Sequence, residues 1–348
     1  MLGQLIDYSA VATKVRAMYS RRLMPEDYLK IASFKRVSEV VAYLRNHPGW
    51  RDALSGSQEE PRRGALEAAL RHHLLEESLS ILHYISREDR FISNNRVLLT
   101  EMEQIMLFLR YARAGRADEY HFDAPPFFDR HSRIHYSMLS KASTYEDMLA
   151  AVRETNFYTP LARLPLTEEG FPNYTTVETV MRSHYYRALL DMIGARYHGK
   201  TLAVLKESVG VEVDMINIMT LMRVRRYFPH QLGDVLSMLI PAHHKLTPAF
   251  IREMYTAATE EDAWGLLCAS PYGKFFSSHV YTHIEEYYYQ FLYEFNRRAL
   301  SGASPSVYTP LAYLNLRQVE LKNLINVIEC VRYGLQLSQA PSVLFGVS

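Results

Sequence analysis

The segment ELKNLINVIECVR, at residues 320–332, has two related copies earlier in the chain. They are EMEQIMLFLRYAR at residues 101–113 and DMINIMTLMRVRR at residues 214–226. Each begins with an acid, has an amide side chain three residues later and ends with Arg. The apolar positions follow the spacing of one helical face, which predicts an α-helix that faces a core. An acid suits the N-terminal end of a helix dipole and Arg its C-terminal end, so we predict that the acid opens the helix and the Arg closes it.

Two further motifs recur in the same order and at similar spacing. In each copy a short motif that begins with Ala opens an apolar run, and an acid follows it further along the chain. The Ala positions are Ala32, Ala142 and Ala257, and the acids are Glu67, Glu178 and Glu285. Such a repeat fixes the architecture. We predict three similar helical domains, at residues 1–118, 119–228 and 229–348.

Threonine precedes an acid by three residues at four places in the second and third copies. The pairs are Thr144 with Asp147, Thr175 with Glu178, Thr259 with Asp262, and Thr282 with Glu285. This spacing predicts a capping box, in which the two side chains satisfy free backbone N–H groups of the first helical turn. In the first copy Gly64 stands at the same position before Glu67. We therefore interpret these acids as helix caps and not as catalytic groups.

The composition favours helices throughout the chain. Among 348 residues there are 15 Gly and 15 Pro, and hydrophobic residues make up 48%. Few helix breakers thus accompany ample apolar surface for packed cores, which predicts an all-α protein. The formal net charge of +1 provides no basic surface for nucleic acid and no polybasic segment for an anionic membrane.

The sequence predicts neither membrane insertion nor secretion. No apolar run approaches the roughly 18–20 residues of a membrane helix. Residues 1–10 include Asp7 and lack the layout of a signal peptide. Cys268 and Cys330 lie in helical patterns, and we interpret them as buried thiols in a reducing compartment. We expect a soluble, cytoplasmic protein.

The sequence GARYHGKT, at residues 194–201, matches the phosphate-binding pattern G-x-x-x-x-G-K-[ST]. A true phosphate-binding loop follows a buried β-strand, and its backbone N–H groups hold the phosphates. Here residues 180–193 have helical spacing, and no apolar strand ends in an Asp that could bind magnesium. We therefore predict an ordinary loop between helices, and nucleotide binding is the weaker hypothesis.

Histidine pairs at helical spacing raise the possibility of a metal site. The pairs are His131 with His135 and His279 with His283, and the adjacent pairs are His72-His73 and His243-His244. A zinc site needs three or four ligands, and Glu285 is the single further candidate, which a cap already explains. No grouping of nucleophile and base and no G-x-S-x-G element occurs. We predict no catalytic residue, no cofactor and no metal site.

Tyrosine, with 25 residues, is concentrated near the third copy of the repeat. The cluster consists of Tyr281, Tyr287, Tyr288, Tyr289 and Tyr293. Several of these positions share a helical face. They fit a core stripe, which we favour, and they also fit a protein interface.

The ordered motifs resemble the C subunit of the bacterial and archaeal V-type (A-type) rotary ATPases, which is related to the d subunit of the eukaryotic V-ATPase. The strongest likeness lies in PLAYL at residues 310–314 and ELKNL at residues 320–324. Asp214 with Asn217-Ile218 and Arg223 is similar to the middle of the family, and residues 8–18 are similar to its opening. The resemblance spans the whole chain. The first copy departs from the pattern, with Gln104 in place of Asn.

The resemblance implies an all-helical funnel of three similar domains around a pseudo-threefold axis, without catalytic residues. Such a subunit sits on the cytoplasmic face of the membrane rotor ring and receives the central shaft, formed by the D and F subunits, in its funnel. It transmits torque between ATP hydrolysis or synthesis and the transport of protons or sodium ions. Neither the coupled ion, nor the direction of operation, nor the residues at the shaft and ring interfaces follow from the sequence.

Two alternatives stay open. A helical-repeat adaptor would bind peptides along a groove, although repeats of about 110 residues exceed the 20–45 residues of usual solenoids. A phosphate-loop nucleotide-binding protein would use Lys200.

Overall fold

The structure is a computed structural model that describes residues 2–55, 61–85, 91–122, 124–227, 232–278, 284–302, 305–335 and 344–346. Within these ranges the chain forms helices, with one isolated antiparallel bridge between Leu166 and Pro172. The predicted all-α fold is confirmed. The α-helices are α1 (Leu2–Tyr19), α2 (Pro25–Ala32), α3 (Val37–Asn46), α4 (Arg63–Leu82), α5 (Phe91–Arg113), α6 (Pro126–His131), α7 (Tyr136–Leu139), α8 (Tyr145–Ala151), α9 (Tyr158–Leu161), α10 (Tyr174–Arg196), α11 (Gly199–Tyr227), α12 (Leu232–Ser237), α13 (Pro248–Thr256), α14 (Glu260–Ala269), α15 (Gly273–Phe276), α16 (Ile284–Ser301) and α17 (Tyr308–Tyr333). Two 3₁₀ turns span Arg51–Leu54 and Ala117–Glu119.

The chain divides into two compact units. Unit 1 contains Met1–Asp89 together with His283–Ser348, and unit 2 contains Arg90–Thr282. Unit 1 therefore combines the first and the last part of the sequence. The division into three repeats, at residues 1–118, 119–228 and 229–348, stays a prediction.

Unit 1 is built around α17. The helices α1, α2, α3, α4 and α16 all contact α17, and α16 and α17 form a helical hairpin. The core contains the fully buried Trp50, and leucines, isoleucines and valines of α2, α3, α4 and α17 surround it. Gly334 ends α17 in the left-handed conformation, with φ of +65°, which favours glycine at a helix C-terminus.

The described part of unit 2 contains three long helices, α5, α10 and α11, and α10 packs against the other two. Short helices follow two of them: α7, α8 and α9 come after α5, and α13, α14 and α15 come after α11. The predicted helical pattern of residues 180–193 is confirmed, because they lie within α10.

The predicted starts of the three repeat helices are wrong, whereas their predicted ends are confirmed. The helices begin at Phe91, Gly199 and Tyr308, which places the three acids 10 to 15 residues inside them. The apolar face extends upstream of each acid and keeps the chain helical there. Arg113 ends α5, and Arg226 and Arg332 are the next-to-last residues of α11 and α17.

Two of the predicted capping boxes are confirmed. The Thr144 hydroxyl accepts the Asp147 N–H at 3.1 Å, and the carboxylate of Asp147 accepts the Thr144 N–H at 3.0 Å. Thr259 and Asp262 repeat this arrangement at 3.0 Å in both directions.

The predicted cap at Thr175 is wrong. Asn173 caps α10 instead, since its Oδ1 accepts the N–H groups of Thr175 and Thr176. Asn173 fits because asparagine is as good a cap as threonine, and α10 begins at the next residue, Tyr174. In the first copy, α4 begins at Arg63, so Gly64 lies inside its first turn and is not the cap. Thr282 lies outside the described residues.

Candidate functional site

The acids that open the three repeat segments are buried in the middle of long helices. We call Glu101, Asp214 and Glu320 the anchor acids; their side chains are 4%, 1% and 6% exposed. A buried carboxylate must be satisfied by donors. Each anchor acid accepts at least one backbone N–H from the residues just before a set of short helices. We call these sets layer 1 (residues 23–54), layer 2 (residues 132–161) and layer 3 (residues 244–276).

Asp214 of α11 holds layer 3 with both of its oxygens. Oδ1 accepts the His244 N–H at 3.0 Å, and Oδ2 accepts the N–H groups of Lys245 and Leu246 at 2.8 and 3.2 Å. The hydroxyl of Tyr272, just before α15, donates to Oδ2 at 2.7 Å. Burial and this bond to the carboxylate raise the pKa of Tyr272 above its ordinary value. The tyrosine thus stays a donor, and four bonds fix both ends of the layer to one side chain.

Glu101 of α5 holds layer 2 through one oxygen. Its Oε1 accepts the Arg133 N–H at 2.7 Å and the Ser132 hydroxyl at 2.9 Å. Burial raises the pKa of the Glu101 carboxyl, and the bonds from Arg133 and Ser132 oppose that rise.

Glu320 of α17 holds layer 1, which lies at the opposite end of the sequence. Its Oε1 accepts the Leu23 N–H at 3.0 Å and the indole N–H of Trp50 at 2.9 Å. Arg317, one turn earlier on α17, lies 2.7 Å from the same oxygen. The bond from Leu23 joins residues 297 positions apart in sequence.

In every layer, an aromatic residue lies just before the last short helix, which is Arg51–Leu54 in layer 1, α9 in layer 2 and α15 in layer 3. Trp50, Phe157 and Tyr272 occupy this position. Trp50 and Tyr272 donate to their anchor acids, but Phe157 has no polar side-chain atom. In layer 2 the Ser132 hydroxyl supplies a donor to Glu101 instead.

A second set of contacts comes from the amide three residues after each anchor acid. Asn217 and Ile240 exchange two hydrogen bonds: Asn217 Nδ2 donates to the Ile240 carbonyl at 3.0 Å, and Asn217 Oδ1 accepts its N–H at 2.9 Å. Asn323 makes the same pair of bonds with the backbone of Phe345, at 2.8 and 2.9 Å. Gln104 accepts the Tyr120 hydroxyl at 3.1 Å. We call Gln104, Asn217 and Asn323 the clamp amides.

Unit 1 adds a buried ion network to its anchor acid. The Arg317 guanidinium lies 2.8 Å from Glu77 and 2.7 Å from Glu320, and it covers the Trp50 ring at 4.4 Å. Burial opposes the charge of Arg317, but the two carboxylates outweigh it and raise its pKa above the ordinary value. His73 contacts Glu77 at 3.6 Å, so the network extends into α4.

The phosphate-loop pattern lies between two helices. The α10 helix contains Gly194 and ends at Arg196, and α11 begins at Gly199, whose φ is +58°. A helix, and not a strand, precedes Gly199, as predicted. The segment therefore lacks the strand that presents a phosphate-binding loop.

The histidines do not converge in the residues that the structure describes. A ring nitrogen of His131 lies 2.8 Å from the Phe127 carbonyl oxygen, and His135 lies 3.8 Å from Glu154. Within the described ranges, no group of three or more His, Cys, Asp or Glu residues could hold a metal ion. The pair His279 and His283 lies outside them.

The cysteine and tyrosine predictions are confirmed in part. Cys330 is buried, whereas Cys268 is half-buried, and both are free thiols. Tyr287 is buried, and Tyr289 stacks on Phe345 at 4.9 Å, as expected for a core stripe. Tyr281 lies outside the described residues.

The family model of the ATP synthase (C/AC39) subunit matches residues 11–340. The chain belongs to this family. The match confirms the resemblance to the C and d subunits of V-type ATPases. A C/AC39 protein is an accessory subunit of the ATPase and not its catalytic subunit. A comparison with curated protein sequences gave no match. Among the described helices of this C/AC39 chain, none combines the length and the hydropathy of a membrane-spanning segment.

The role of the anchor acids in this C/AC39 chain was missed from the sequence. A signal was present, since Glu101 shares a helical face with Ile105 and Phe108, both fully buried. An acid on a buried stripe must itself be buried, and its recurrence in three copies indicates a common structural partner.

Proposed function

We propose that the chain is the non-catalytic rotor subunit that couples ATP hydrolysis or synthesis to ion transport in a V-type ATPase. In this role it connects the central shaft, formed by the D and F subunits, to the membrane ring of proteolipid subunits. It works on the cytoplasmic face of the membrane and is attached there through the complex. The observation that carries the proposal is the family match over residues 11–340. The transported ion is a proton or sodium.

We also propose that the chain consists of three similar helical repeats that surround the shaft as a funnel. The recurrence of anchor acid, clamp amide and short-helix layer supports a threefold repetition, although with bounds other than residues 118 and 228. The contacts further suggest that layers 2 and 3 belong with the long helices that precede them, and that layer 1 belongs with α17.

A coupling subunit has to stay rigid while it carries torque. Close-packed interiors resist deformation, and satisfied buried polar networks fix one arrangement of helices. The anchor acids join each layer to a long helix at two or more points. This architecture suits transmission of force, whereas an enzyme would need groups that face a substrate.

The proposal is tested by binding. The purified chain is mixed with a preformed D–F shaft and, separately, with the proteolipid ring in detergent, and complexes are separated by size-exclusion chromatography. We expect a one-to-one complex with the shaft and retention of the chain on the ring. The catalytic subunits without D and F serve as a negative control. Failure to bind both the shaft and the ring would contradict the proposal.

The nucleotide-binding alternative is tested at Lys200. Because α10 precedes the loop, we expect no specific ATP binding by the isolated chain and no difference between the wild type and Lys200→Ala in equilibrium dialysis. ATP binding that Lys200→Ala abolishes would revive the phosphate-loop hypothesis.

A further inference from the structure

Residues 344–346 are docked on unit 1 by several independent contacts. Phe345 is 7% exposed and stacks on Tyr289, with the ring planes 27° apart. Leu344 packs against the hydrophobic core of unit 1. The N–H of Gly346 donates to the Gln290 side chain at 2.8 Å.

The position of Gly346 accepts no larger residue. Its φ is +67°, which L-residues rarely adopt, and a Cβ atom at this position would meet the ring of Tyr293. The backbone at Gly346 therefore packs closely against α16. Residues 344–346 are held by shape complementarity as well as by hydrogen bonds.

Unit 2 has an equivalent contact. There the clamp amide Asn217 binds a segment that lies between α12 and α13. Asn217 clamps the backbone of Ile240, and four residues after Ile240 Asp214 accepts the N–H of His244. In unit 1, Asn323 clamps Phe345 by the same two bonds, and Glu320 accepts the N–H of Leu23. A short connection joins the clamped residue to the anchored residue in unit 2. In unit 1 no such connection joins Phe345 to Leu23.

The α16–α17 hairpin contacts the docked residues 344–346 and also the first part of unit 1, Met1–Asp89. Asn323 binds Phe345, and its side chain also lies close enough to Tyr28 of layer 1 to lower the pKa of that hydroxyl. Burial raises the pKa of Tyr28 well above its ordinary value, so the hydroxyl stays protonated. At the end of α1, Arg16 donates to the Leu300 carbonyl at 3.0 Å. The two parts thus depend on shared partners.

We propose that residues 344–346 form a C-terminal latch, which closes the junction between the two parts of the sequence in unit 1. The latch occupies the place that Ile240 and its neighbours occupy in unit 2, but no short connection links it to the anchored residue Leu23. Residues 344–346 can therefore dissociate from α16 and α17 while layer 1 remains in place. Its release weakens the hold of α17 on layer 1. This inference concerns the isolated chain and is independent of the rotor role.

Hydrogen–deuterium exchange of the intact chain tests the latch. We compare the wild type with a truncation that removes residues 344–348 and with Phe345→Ala, in case the truncation does not fold. Asn217→Ala is the matched control, since it removes the same pair of bonds where a short connection joins the clamped and anchored residues. We expect amide exchange at residues 23–32 to rise by at least about tenfold in both latch variants, with residues 244–256 unchanged within about twofold.

Asn217→Ala should leave exchange at residues 23–32 at the wild-type rate. The latch is rejected if exchange at residues 23–32 is the same in the wild type and in the two latch variants. It is also rejected if exchange rises equally at residues 23–32 and 244–256, because that result would indicate a general loss of stability.

Discussion

Asp214 in unit 2 and Glu320 in unit 1 perform the same structural task with different chemistry. Asp214 is satisfied by neutral donors, three backbone N–H groups and a tyrosine hydroxyl. Glu320 accepts one backbone N–H and an indole N–H, and it faces a buried arginine. Layer 3 follows α11 closely in the chain, whereas layer 1 and Glu320 lie in opposite parts of the sequence.

The difference shows what chain connectivity contributes. Asp214 and His244 are 30 positions apart in sequence, whereas Glu320 and Leu23 are 297 apart, and closing the shorter loop costs less entropy. The chain therefore keeps layer 3 near Asp214 even when the contact opens. Layer 1 has no such connection to α17. There the structure has a charged network, Glu77–Arg317–Glu320, and the docked latch. We infer that unit 1 depends more on its buried side chains than unit 2 does.

The largest expected effect is at Arg317. Arg317→Leu leaves the buried Glu320 and the half-buried Glu77 without this counter-charge, and the free energy of unfolding should fall by about 3–5 kcal/mol. Chemical denaturation followed by circular dichroism measures it. The control is Arg298→Leu, which removes an exposed ion pair with Glu294 on α16 and should change stability by at most about 0.5 kcal/mol. Equal effects of the two variants would show that the buried network is not what holds layer 1.

The next effect is at Asp214. Both of its oxygens accept N–H donors. The side chain of Asp214→Asn must therefore turn its NH₂ group toward one of these donors. The free energy of unfolding should fall by about 2–3 kcal/mol. Glu207→Gln, an exposed acid on the same helix, is the control and should be nearly neutral. Thermal unfolding monitored by circular dichroism compares them. If Asp214→Asn did not change the thermal stability, the hydrogen bonds to layer 3 would make no net contribution to folding.

A smaller effect separates the true helix caps from the one wrongly predicted. Thr259→Ala and Asn173→Ala should each destabilise the chain by about 1 kcal/mol, because each leaves an N–H of the first turn unsatisfied. Thr175→Ala should stay within about 0.5 kcal/mol of the wild type, since its side chain is not the cap. Urea denaturation of the three variants measures the differences. A larger loss for Thr175→Ala than for Asn173→Ala would contradict the observed start of α10.

The smallest effect is at Glu101, and it depends on pH. All of its described hydrogen bonds use one oxygen, so a glutamine can keep them, and Glu101→Gln should cost less than about 1 kcal/mol. Burial raises the pKa of Glu101 above its unfolded value. The folded chain therefore binds more protons between the two pKa values, and the wild type loses stability as the pH rises through that window.

Glutamine does not titrate, so the stability of Glu101→Gln relative to the wild type should improve as the pH rises from about 4 to 7. Urea denaturation at several pH values provides the comparison. A relative stability that worsens with rising pH would mean that the carboxylate is stabilised, and not penalised, by its site.

The all-α fold could be predicted from the sequence because helical structure depends on local periodicity. The ends at Arg113, Arg226 and Arg332 were predicted, but the starts were not. At α17, for example, Val307 precedes the helix and makes no side-chain bond to the first turn. The hydroxyl of Ser306 accepts the Tyr308 N–H at 3.3 Å instead, and this contact does not follow the Thr-to-acid spacing. The caps at Thr144 and Thr259 were predictable because a capping box is complete within four residues.

The anchor contacts could not be predicted in the same way. Glu320 meets Leu23 and Trp50, and nothing near Glu320 in the sequence indicates a partner in the opposite part of the chain. The docking of Phe345 was missed for a similar reason, because so short a segment carries no periodic pattern. The buried position of the acids was the part that helical spacing alone could have indicated.

The most direct test of the coupling role compares ATP hydrolysis with ion transport in reconstituted vesicles that contain the V-type ATPase with and without this subunit. We expect the complex without the chain to hydrolyse ATP but to build no ion gradient, and we expect the purified chain to restore transport when it is added back. An ion gradient of the same size in the absence of the chain would contradict the proposal that it couples the shaft to the ring.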